Sequence, residues 1–146
     1  MNDKEKKYVS WINSILETAK ENPSSDIINL IEGCGMECAK FNGHLDGVNK
    51  LCQMADNCHT RTDYTAFFND ILHIKAEEVE DGIVLHLDKP HCACPMAPEV
   101  RNSALCNCTK GHEKAVWSKF FGTSIDVEIV ESWQRGGNDC VIKLFV

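Results

Sequence analysis

The chain has 146 residues, enough for one domain with a core of its own, and 43% apolar with 25% charged residues is the composition of a globular protein. A formal charge of −7 argues against a nucleic-acid partner, because readers of the phosphate backbone carry a basic face. No apolar run approaches the roughly 18 residues of a membrane span, and the polar opening Met1–Tyr8 lacks the apolar stretch of a signal peptide. The expected location is therefore the cytoplasm, where thiols bind metals or catalyse more often than they pair. Nine cysteines, an odd number, cannot all pair within one chain.

In chain order, Tyr8, Trp11, Ile12, Ile15 and Leu16 recur at helical spacing and predict an amphipathic helix over about 4–21. Asn22-Pro23-Ser24-Ser25 stops it, and Ser25 or Asp26 is placed to cap a second helix carrying Ile27, Ile28, Leu30 and Ile31. Gly33 and Gly35 predict a break there, or a tight approach of backbone to backbone, since each costs about 1 kcal/mol in a helix interior. A third helix is expected over about 44–56, and a fourth over about 62–72 with Tyr64, Phe67, Phe68, Ile71 and Leu72 as its stripe. Asp81-Gly82 between two β-rich runs marks a hairpin. After a cysteine-rich loop, Thr109 is read as the N-cap of a helix closed by Gly122, and a second hairpin turns at Gln134–Asp139. Helices segregated from two hairpins predict an α+β fold: a helical N-terminal half packed on an antiparallel sheet of about four strands, in a single domain over 1–146.

The chemistry concentrates in His91–His112. Two Cys-x-Cys pairs, Cys92/Cys94 and Cys106/Cys108, flank an eleven-residue insert, with His91 before the first pair and His112 four residues after the second. Four thiolates make a complete tetrahedral zinc set, so Cys92, Cys94, Cys106 and Cys108 are the candidate metal ligands. The spacing differs from the usual two-residue gap, and both members of a pair reach one ion only where the backbone bends, as Pro90, Pro95 and Pro98 suggest. An iron–sulfur cluster is the weaker metal option, because the ferredoxin-type runs are absent. The alternative is a cysteine-dependent hydrolase: Cys108, just before the predicted helix, would have its pKa lowered by the helix N-terminus, and His112 would act as base. Cys52 and Cys140 read as apolar filler, and for Cys34, Cys38 and Cys58 filler and function stand even. His86 and His73 read as surface or core-edge residues, and His44 and His59 stand out only by lying near Cys38 and Cys58 in sequence.

Cys34-Gly35-x-x-Cys38, Cys92-x-Cys94-Pro95, Cys106-x-Cys108-Thr109-x-Gly111 and the closing strand–Gly136-Gly137–Cys140 hairpin together resemble a group of small bacterial cysteine-rich proteins. The closing half is also similar to 4-vinyl reductase-type small-ligand domains, themselves similar in fold to the haem-nitric-oxide and Golgi-transport ligand-binding superfamily. A further similarity is to 2-amino-thiazoline-4-carboxylate hydrolase-like proteins. These resemblances imply a ligand cavity between helices and sheet and carry over no catalytic residue. The expected function is a small cytoplasmic ligand-binding or sensor domain holding a metal, zinc by ligand type, beside a small-molecule site. A purely structural cysteine cluster in a homo-oligomer is the third reading.

Overall fold

The computed structural model describes residues 1–146. Its first helix, α1 (Asp3–Glu21), opens with Asn2 and Glu5 in a reciprocal capping box, each side chain accepting from the other's backbone N–H. The face it buries is shifted from the predicted one. Leu16 and Ala19 are buried and Val9 and Ile12 pack beside them, whereas Tyr8, Trp11 and Ile15 are exposed. Two adjacent apolar stripes run along this helix, and only one finds a partner.

Ser24 caps α2 (Ser25–Phe41), one residue before the expected position, by accepting from the Ile27 N–H. The glycines do not break this helix. Gly35 is instead a contact point: a Cβ there would lie 1.8 Å from the Cys108 carbonyl oxygen, while one at Gly33 would meet nothing within 4 Å. The approach is reciprocal, since a Cβ on Gly111 would lie 1.9 Å from the Glu32 carbonyl oxygen. Lys110 and Glu32 form an ion pair of 3.2 Å beside this crossing.

Gly43, in the left-handed region at φ 71°, turns the chain into α3 (His44–Met54). Thr60 and Asp63 form a second capping box at the start of α4 (Arg61–Asp70). Strands β1 (Lys75–Val79) and β2 (Gly82–His86) make the first hairpin; β3 (Asp126–Glu131) and β4 (Val141–Phe145) make the second, joined through a 3₁₀ turn at Trp133–Arg135. The four strands form one antiparallel sheet in the order β1-β2-β4-β3, with Ile83 opposite Leu144 and Leu85 opposite Ile142 at its centre. The fold class and strand number agree with the expectation from sequence. On the free edge of β1, the Asn69 amide donates to the Ala76 carbonyl at 2.8 Å and accepts from its N–H at 3.1 Å, which covers part of that edge.

Helix α5 (Leu105–Phe121) is the central element, lying between the sheet on one side and α2 on the other. Its Trp117 and Phe120 pack with Phe67 and Phe68 over Ile83, Leu85, Ile142 and Leu144. Its first turn meets a smaller helical core of Leu16, Ala19, Ile31, Val100 and Ala104. The segment between β2 and α5 is a strap without regular structure, and it carries the first cysteine pair.

Candidate functional site: a cysteine-lined cavity

The strap is tied down along its length. Trp133 donates from its indole N–H to the Lys89 carbonyl at 3.1 Å, and Gln134 donates to the Val100 carbonyl at 3.2 Å. From α1, Asn13 donates to the Glu99 carbonyl, and Glu17 accepts from the Asn102 amide at 2.8 Å. Val100, 1% exposed, plugs the strap into the helical core.

Helix α5 begins at Leu105, four residues before the predicted cap at Thr109. Asn102 explains the early start: its side chain accepts from the Ala104 N–H at 2.8 Å, and its carbonyl accepts from the Leu105 N–H. The second cysteine pair therefore lies inside the helix, where residues two apart point to roughly opposite sides. Cys106 turns to the sheet-side core, 4% exposed, with Sγ 3.0 Å from the Ser132 hydroxyl. Cys108 turns to the helical core, where Cys94 of the strap also packs.

That position reverses the expected chemistry of Cys108. Burial pushes its thiol up to about 12, and the neighbouring Cys38, Cys94 and Cys34 oppose a thiolate further. The helix N-terminus was expected to lower this value, but loss of solvent outweighs it. Burial also raises Cys94 and Cys140, with Cys92 among the neighbours opposing ionisation in each case. The two ring nitrogens of His112 lie against His44 and Glu113.

These groups surround a cavity of about 420 Å³ between the C-terminal part of α2, the start of α3, the first turns of α5, the strap and the inner ends of β3 and β4. Six of the nine cysteines line it: Cys38, Cys92, Cys94, Cys106, Cys108 and Cys140. Leu87, Ala93, Pro95, Ile129 and Ile142 supply apolar wall. Cys140, expected as filler, belongs to the site. Cys52 and Cys58 do not; their thiols point at the carbonyls of Phe120 and Asp63, at 3.6 and 3.7 Å. Cys34 stands exposed on α2, outside the cavity lining. All four predicted ligands reach the cavity wall, yet no three His, Cys, Asp or Glu side chains are grouped as a metal ion would require.

One wall holds a polar chain that sequence reasoning missed. The Trp117 indole N–H donates to Glu113 Oε2 at 2.8 Å, Glu113 Oε1 lies 3.2 Å from His112 Nδ1, and His112 Nε2 lies 2.7 Å from His44 Nδ1. The rings of His44 and His112 meet edge to face. Adjacent His112 and Glu113 were visible in the sequence, but nothing local points to His44, which comes from α3, 68 residues away.

The chain matches the family of unknown function DUF6144 over residues 1–146. It belongs to that family. No curated protein matches it in sequence. Among solved structures, it is similar to a trafficking protein particle complex subunit 3 from Naegleria fowleri, covalently bound to palmitic acid, at 10% identity and a TM-score of 0.49, covering 96% of this chain and 95% of that one. It is also similar to the phenol-responsive sensory domain of the transcription activator PoxR with phenol, at 11% identity and a TM-score of 0.47, covering 93% of this chain and 73% of that one. None of these matches bears the name of a 4-vinyl reductase or of a 2-amino-thiazoline-4-carboxylate hydrolase.

In this DUF6144 chain no helix is long and apolar enough to cross a membrane. A separate strap-side groove, whose lining includes His91, Cys92, Arg101 and Trp133, meets the cavity only at Cys92.

Proposed function

We propose that this DUF6144 chain is a small-molecule-binding domain, with the ligand held in the cysteine-lined cavity under the strap. The observation that carries this reading is the cavity itself. Its volume of about 420 Å³ falls within the range of small-ligand sites, and its wall is mostly apolar with a few convergent polar groups. Cys94, Cys108 and Cys140, with thiols raised by burial, are uncharged at neutral pH and act there as soft, polarisable apolar wall. The similarity of the closing half to 4-vinyl reductase-type ligand domains, in which a helix leads to a paired strand ending in a cysteine, points the same way.

Equilibrium dialysis with 7-hydroxycoumarin, a flat and largely apolar molecule, tests the reading. One-to-one saturable binding is expected, and Ala93→Trp should abolish it by filling the cavity. Ala93 sits on the strap, outside any helix or strand, so the fold tolerates the larger side chain. Absence of saturable binding, or binding unaffected by Ala93→Trp, would count against the cavity.

A second reading fills the same space with a soft metal, zinc in the first instance, on Cys92, Cys94, Cys106 and Cys108. The concentration of six thiols on one cavity favours it. Cys106 and Cys108 would then have to turn from opposite sides of α5 towards one ion. Metal analysis after purification without added metal decides: a stoichiometric ion lost in the Cys106→Ser, Cys108→Ser double variant supports this reading, and metal-free protein that still binds the probe removes it. The hydrolase alternative has less support, since Cys108 is a neutral thiol and His112 is engaged with His44 and Glu113.

A further inference from the structure

We propose that Glu113, His112 and His44 form a proton relay on the cavity wall, and that the ligand class this site accepts is an apolar molecule carrying one weakly acidic X–H group. The inference rests on the cavity reading and adds to it the chemistry of recognition.

The geometry defines the relay. A contact of 2.7 Å between His44 Nδ1 and His112 Nε2 holds one proton between two nitrogens. In the tautomer that lets the Glu113 carboxylate accept from His112 Nδ1–H, an uncharged His112 has only a lone pair at Nε2 and accepts there from His44 Nδ1–H. Of the four ring nitrogens in the relay, His44 Nε2 is then the one without a protein partner, and it is an acceptor. Trp117, 6% exposed, anchors the far end by donating to the second oxygen of Glu113. A carboxylate that orients an imidazole and stabilises its charge is the arrangement of general-base sites, here extended by a second imidazole.

The groups facing the relay leave it one source of charge. From α2, the amide of Asn42 donates to Cys38 Sγ at 3.2 Å, and both residues line the cavity. Cys108 faces it from α5, Cys92 and Cys94 from the strap, and Cys140 from the start of β4. The Lys119 ammonium is held by the Leu45 carbonyl, next to His44. Glu113 is the only carboxylate in the lining, and the lining contains no lysine or arginine. An anionic ligand therefore finds no fixed cation. A ligand that arrives with its proton can create one. The X–H bond breaks with its electron pair left on X, the proton bonds to His44 Nε2, and the anion pairs with an imidazolium that is balanced through His112 by Glu113. No other reactant is required. His44 touches the ligand; His112 and Glu113 are positioning residues.

The ionised form of 7-hydroxycoumarin absorbs at longer wavelength than the neutral form, which makes it a direct probe. At about pH 6, the anion fraction should rise about tenfold or more on binding, equivalent to a fall of one unit or more in the probe's apparent pKa. His44→Ala, at an exposed position, should still bind the probe but leave it neutral. Glu113→Gln, which keeps an oxygen for Trp117, should lose most of the rise while binding persists. Saturable binding with an unchanged spectrum, or a shift that survives both substitutions, overturns the relay and leaves the cavity standing. No saturable binding at all overturns the cavity reading and the relay with it.

Discussion

Gly35→Ala is expected to destabilise the protein by about 3 kcal/mol or more, at the upper end of the usual cost of overpacking. The added methyl would lie 1.8 Å from the Cys108 carbonyl oxygen, 2.8 Å from its carbon and 2.8 Å from the His112 nitrogen. All three are backbone atoms, so no side chain can swing aside, and α2 must move away from α5. Because that crossing also forms one side of the cavity, probe binding should fall along with stability. Gly33→Ala is the matched control. It occupies the same helix, meets nothing within 4 Å and removes a helix-interior glycine, so a gain of about 0.5–1 kcal/mol is expected. Urea denaturation of the two variants measures both. Equal effects would mean that α2 and α5 do not cross at Gly35.

Cys108 is the second large expectation. A thiol moved from 9.0 to about 12 has about a thousandfold less thiolate at about pH 8. The higher intrinsic nucleophilicity of a more basic thiolate returns part of this, leaving alkylation by iodoacetamide about 50-fold slower than at an ordinary thiol, before shielding is counted. Peptide mapping after timed alkylation reads the rate at each cysteine. Rapid modification of Cys108 at neutral pH would restore the thiolate nucleophile that its place near a helix N-terminus first suggested. The same shift carries a pH dependence. The folded state keeps the proton to about 12 while the unfolded chain releases it near 9, so the contribution is full below pH 9 and is lost as pH rises towards 12. Burial raises Cys94, Cys140 and Cys58 in the same sense. Stability should accordingly decline through the alkaline range more steeply than one thiol alone would cause.

The helices and hairpins were legible because their signals are local. Hydrophobic spacing, the Asp81-Gly82 turn and a helix closed by Gly122 act over a few residues, and each produced the element expected. Boundaries failed where a distant or competing partner decided them. Thr109 was a reasonable cap, but Asn102 starts α5 earlier because it satisfies the N–H of Ala104 and the N–H of Leu105. In α1 the spacing marked one broad apolar face, and only contact with α2 and the strap selected Ile12, Leu16 and Ala19 over Tyr8, Trp11 and Ile15.

For the site, the amino-acid sequence by itself singled out Cys92, Cys94, Cys106, Cys108 and His112, since no packing rule concentrates such residues in one short stretch, and all five line one cavity. The tertiary structure decided where each of them sits. Placing Cys106 and Cys108 within one helical turn sets their side chains on different sides of α5, one toward the sheet-side core and one toward the helical core. Burial pushes the Cys108 thiol up, an effect of the surrounding chain that no local motif encodes. The crossing of α2 and α5 at Gly35 and Gly111 brings Cys38 to the same cavity as Cys94 and Cys108, and the packing of α3 on α5 brings His44 to His112. Such pairings span long loops of sequence and exist only once both helices have found the core between them.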